Sequence, residues 1–131
     1  MAYLRPICLA LGIISLTACS KPAVEAPPET PVDVRTALQG TWRSVDDARS
    51  MMTIRDTTVI ESYDGEALDT ATLRIVADCD SVAPDPAGQY FTFEEPSAGV
   101  LCFALLDATG DHIAYSYAGR GNTLAFNRVP D

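Results

Sequence analysis

Thr57-Thr58-Val59-Ile60-Glu61-Ser62-Tyr63-Asp64-Gly65-Glu66, followed by Ala67 to Cys79, reads as two strands joined by a tight turn. Val59, Glu61 and Tyr63 alternate with Thr58, Ile60 and Ser62, which is the two-residue period of a strand. Asp64-Gly65 accepts the positive φ angles that a hairpin turn requires. Beyond it, Leu73, Ile75, Ala77 and Cys79 share one face, and Thr72, Arg74, Val76 and Asp78 share the other.

The same grammar extends in both directions. Upstream, Gly40 to Val45 carries the single tryptophan, Trp42, and Ser50 to Arg55 follows. Downstream, Asp80 to Gly88 holds Pro84 and Pro86 and is a long turn. Gln89 to Glu94 is rich in aromatics (Tyr90, Phe91, Phe93). Val100 to Leu106 is apolar at both parities, so it is expected to be covered on both faces. His112 to Tyr117 puts Ile113, Tyr115 and Tyr117 on one side, and Thr123 to Arg128 turns Leu124 and Phe126 inward. The chain is therefore all-β, a small antiparallel meander of about eight strands, enough to close into a barrel. An open sandwich is the alternative architecture. Val34 to Leu38 reads as a short helical turn leading in.

The amino terminus has the parts of an export signal. Arg5 is the one basic residue of its n-region, and Ile7 to Leu16 is apolar but shorter than the roughly 20 residues a membrane span takes. Leu16-Thr17-Ala18-Cys19 resembles the lipobox of bacterial lipoproteins. That resemblance implies a signal peptide over 1–18, cleavage before Cys19 and a lipid on its thiol, which would attach the chain to a membrane. Ser20 in place of Asp after the cysteine implies the outer membrane, with the domain in the periplasm. Residues 19–35, with four prolines, form a linker that would reach about 45 Å at most. The folded domain is expected over 36–131.

Of four cysteines, Cys8 leaves with the signal and Cys19 is lipidated. Cys79 and Cys102 remain and are expected to form a disulfide in an oxidising compartment. The protein has 18 acidic and 9 basic residues, a net charge of −9. Removal of the signal takes away Arg5 and no acid. Such a charge repels phosphate backbones, so nucleic acid is not an expected partner, and it favours a monomer.

Leu38-Gln39-Gly40-Thr41-Trp42 at the opening, and Tyr115-Ser116-Tyr117-Ala118-Gly119-Arg120-Gly121-Asn122-Thr123-Leu124 near the close, resemble a group of small bacterial lipocalin-like proteins of uncharacterised function. In such barrels the Trp packs across the floor with a late basic residue over it, for which Arg128 or Arg120 is available. The chain is shorter than a typical lipocalin, which implies less room for a ligand.

No catalytic constellation stands out. Asp46-Asp47, and Asp78, Asp80 and Asp85, lack the spacing of a calcium loop, so no metal or other cofactor is expected. Glu94-Glu95 are strand neighbours and face opposite ways, and His112 sits at a turn edge. The candidate ligand-binding residues are Trp42, Tyr90, Tyr115, Tyr117 and Arg120: aromatic bodies with polar tips, and a guanidinium among small neighbours. The expected function is a lipid-anchored, periplasm-facing binding or interaction module for a small amphipathic ligand or a protein. An inhibitor of a lysozyme or protease, and a structural envelope lipoprotein, are the alternatives.

Overall fold

The structure, a computed structural model, describes residues 32–80 and 88–131. The signal peptide over 1–18, Cys19, most of the 19–35 linker and residues 81–87 of the long turn lie outside them. After helix α1 (Val34–Leu38) come eight strands: β1 (Gly40–Ser44), β2 (Ser50–Arg55), β3 (Thr58–Tyr63), β4 (Glu66–Val76), β5 (Gln89–Glu95), β6 (Gly99–Ala108), β7 (His112–Tyr117) and β8 (Thr123–Arg128). Each pairs antiparallel with the next, and β8 returns to β1, with Trp42 opposite Arg128, to close a meander barrel. Closure leaves no strand edge open to another chain.

The turn chemistry acts as the residues suggest. Asp64 (φ 51°) and Gly65 (φ 86°) make the β3–β4 hairpin in the left-handed region. Inward parity collects Trp42, Met52, Ile54, Val59, Ala71, Leu73, Phe91, Phe93, Phe103, Ile113, Tyr115 and Phe126, all buried, into one core. Val34 and Leu38 lie four apart on one face of α1, and both join that core, so the packed chain begins ahead of Thr36.

Two expectations change. β6 is not covered on both faces, because Val100 (63 % exposed) and Leu106 (57 %) stand on the outer wall in water. The same outer face is half-buried only at Cys102 and Ala104, beside the disulfide. Likewise β4 stops at Val76, so Cys79 does not continue the inward row of Leu73. The disulfide to Cys102 forms, with Cα atoms 5.9 Å apart. It lies against the outer wall, since Cys102 has the opposite parity to inward Phe103.

The helix end of the barrel is closed by a set of interlocking contacts. Trp42 is fully buried, its indole Nε1 donating to the Leu38 carbonyl at 2.9 Å. Arg128, rather than Arg120, lies over the indole at 4.1 Å from the ring centroid. Its guanidinium is held by donating from Nη1 to the Gln39 carbonyl at 2.8 Å and from Nε to the Gly110 carbonyl.

Gly40 explains the glycine two residues before the tryptophan. Its φ is +125°, and a Cβ there would fall 2.2 Å from Arg128 Nη1. Gly40→Ala is expected to cost about 2–4 kcal/mol, combining backbone strain with loss of the stacked guanidinium. Gly121→Ala is the control, since its φ is +73° but nothing lies within 4 Å of the added carbon. Equal losses for the two in urea melts would show that Arg128 does not depend on the missing Cβ.

Candidate functional site

The five candidate residues do not converge. Trp42 is fully buried on the floor, and Tyr115 (1 % exposed) sits in the middle of the core. Tyr115 packs edge-on to Phe91 and Phe103 at 5.2 and 5.1 Å, and stacks on Phe126 at 5.6 Å. Its hydroxyl donates to Met52 Sδ at 3.7 Å. These rings occupy the lower and middle interior with side chains, as small barrels tend to do.

Tyr90 faces the outer wall, opposite in parity to Phe91 and Phe93. It is buried there (5 % exposed), and Gly88 lies against it: a Cβ on Gly88 would come 2.5 Å from the phenol oxygen. Small size at position 88 thus lets the chain close over the ring.

Only Tyr117 and Arg120 come together. They sit at the end of the barrel away from α1, where β7 turns into β8 through Gly119 (φ 80°) and Gly121 (φ 73°). The Arg120 guanidinium lies 5.9 Å from the Tyr117 ring centroid, and the Tyr117 ring lies 4.7 Å from Phe103. Arg120 is exposed and Tyr117 is half-buried. Partly buried Leu101 and Leu124 pack nearby against the core.

Three carboxylates share this end, of which the sequence pointed to Glu95 alone, as half of the Glu94-Glu95 pair. Glu61 pairs across the ladder with Asp69, so both face inward with Val59 and Ala71. Glu95 has the inward parity of Phe93 at the end of β5. Burial raises the Glu61 carboxyl above the ordinary range, with further upward pushes from Glu95 and then Asp69. Tyr117 is raised first by burial, then by the charges of Glu61 and Glu95, while Arg120 opposes them. Tyr115 is raised in the same order of causes, by burial and then by Glu61. The available signal was Glu61 itself, a carboxylate in phase with Val59 and Tyr63.

The remaining polar candidates have structural partners. Asp47 accepts from the backbone and side chain of Arg49 and from the Tyr63 hydroxyl, contacts that hold its carboxyl below the usual range. Glu94 pairs with Arg74 at 2.6 Å. His112 Nδ1 lies 2.9 Å from Asn127 Oδ1. Among the described residues, no group of three or more His, Cys, Asp or Glu could hold a metal ion.

Compared with family models, with curated proteins and with solved structures, the chain matches none.

Proposed function

We propose that this chain is a lipid-anchored binding module of the bacterial envelope, tethered through Cys19 with its barrel in the periplasm, and that it engages its partner at the end away from α1. The observation that carries the reading is the aromatic packing of the barrel. With Trp42, Phe91, Phe93, Phe103 and Tyr115 packed into the interior, recognition falls to the rim. There Tyr117 and Arg120 stand beside Leu101, Leu124 and the inward carboxylates. An exposed arginine over a half-buried phenol, with apolar neighbours, has the residue types that anchor protein interfaces. The net charge of −9 favours a basic partner by long-range steering. The lipocalin-like resemblance of the two ends fits the same reading, with a filled barrel in place of a ligand cup.

The test is a photo-crosslinker placed at position 120 and, as a control, at Ile60 on the outer wall, in the intact protein in cells. A discrete protein adduct from position 120 and none from position 60 is the expected result. Equal adducts from both sites would overturn the rim assignment. A small molecule retained in the native mass spectrum of the purified protein would overturn the filled barrel. In a Cys19→Ala background the protein is expected to leave the membrane fraction, and retention there would sink the anchor.

A further inference from the structure

We propose that Glu61 is a proton-operated latch at the end of the barrel away from α1, which holds the tip of the β3–β4 hairpin closed when protonated and releases it when ionised. The inference does not depend on the binding reading above. It rests on three features meeting at one place.

The first is orientation. Glu61 faces the interior, half-buried, with the aromatic core beneath it. The second is its company. From β4 it faces Asp69 across the ladder, Glu95 of β5 shares its inward parity at the same end, and its charge reaches the phenols of Tyr115 and Tyr117 on β7. Arg120 in the β7–β8 turn acts on Tyr117, and β2 presents Met52 directly opposite Glu61. None of the hydrogen bonds or ion pairs among the described residues neutralises the Glu61 carboxylate. The third is the backbone. The β3–β4 ladder breaks its register between Glu61 and Ser62, where exposed Leu68 is the extra residue. A bulge interrupts pairing and bends the strand, so on the β4 side the tip is joined across a break in the ladder, while β3 stays in register with β2 through Tyr63. Beyond the bulge, the tip is held to the β1–β2 turn by Asp64 N–H donating to the Arg49 carbonyl at 3.0 Å and by Tyr63 donating to Asp47 at 3.2 Å.

The linkage has a definite sign. Burial and two like charges make the closed state hold the Glu61 proton more tightly than an opened, hydrated state does. Closure is therefore most favoured below the ordinary glutamate pKa, where both states are protonated. That advantage is lost as pH rises through the elevated pKa of the closed form. Above it, ionised Glu61 gains by taking water, and the bulge is the place where the ladder yields.

Amide hydrogen exchange on the intact protein tests this, with intrinsic rates corrected for pH. Protection of residues 62–68 is expected to fall several-fold between about pH 4 and about pH 7.5, while β5 and β6 stay level within about twofold. Glu61→Gln mimics the protonated form and should keep the tip protected throughout. The double variant Asp69→Asn with Glu95→Gln retains the latch but removes the like charges, so the fall should move to lower pH. A flat profile in the native protein would overturn the proposal. So would an undiminished pH dependence in Glu61→Gln, or a loss of protection spread evenly over all strands.

Discussion

Trp42→Ala is expected to remove about 3–5 kcal/mol of stability, a large part of the roughly 5–15 kcal/mol that holds a domain of this size folded. The indole is fully buried and donates to the Leu38 carbonyl. Its removal therefore opens a cavity at the floor and orphans an acceptor at the end of α1. It also strips Arg128 of the ring it covers at 4.1 Å, leaving a guanidinium over an empty space. Trp42→Phe separates these contributions. It keeps a ring beneath Arg128 but loses the N–H donor and part of the volume, so its loss should be the smaller. Urea unfolding followed by circular dichroism reads both variants. A change within about 0.5 kcal/mol for Trp42→Ala would be the behaviour of a surface residue and would contradict the packing of the floor.

Replacing Cys79 and Cys102 together by alanine is expected to cost about 3 kcal/mol, or roughly 4–8 °C of melting temperature for each of those kcal/mol. The two cysteines are separated by 23 positions, and the crosslink shortens the unfolded chain across that loop. It also spans the outer wall from the end of β4 to β6, past β5 and its buried Thr92, which lies opposite Cys102 in the ladder. Paired alanines avoid the cost of a buried hydroxyl at Cys79, which is 2 % exposed. Adding reductant to the native protein should reproduce the loss, and should leave the alanine pair unchanged. A loss below about 1 kcal/mol would mean that the β4–β5–β6 ladder already confines the loop in the unfolded ensemble.

Much of the architecture was legible from residue order, because strand pairing in a meander is local. Period-two alternation from Thr58 to Tyr63, the Asp64-Gly65 turn and the row Ile113, Tyr115, Tyr117 each specify an element without reference to the rest of the chain. Cys79 and Cys102, the two cysteines left once the lipobox resemblance sets Cys8 and Cys19 aside, do pair. What depends on three dimensions was not legible. Parity says that Tyr90 and Phe91 face opposite ways, but only the closed barrel says which way is in. For that reason residue order does not separate Tyr90, which lies on the outer wall beneath Gly88, from Tyr115 and Tyr117. Periodicity also cannot see a strand stop at Val76 and carry Cys79 outward, nor tell that the wall beyond β6 meets water.

Residue order was enough for the strands and their turns, because these rest on backbone geometry and on chemistry between near neighbours. The tertiary structure alone decided which residues meet across the barrel. Arg128 rather than Arg120 reached Trp42 because β8 returns to β1, and Gly40 must lack a side chain because that guanidinium takes the space. Glu61, Asp69 and Glu95 come from three strands and share one end only after closure turns their common parity inward. Charges that repel at one end of a barrel acquire their meaning from the dielectric and distance of the fold, and neither quantity is written in the order of residues.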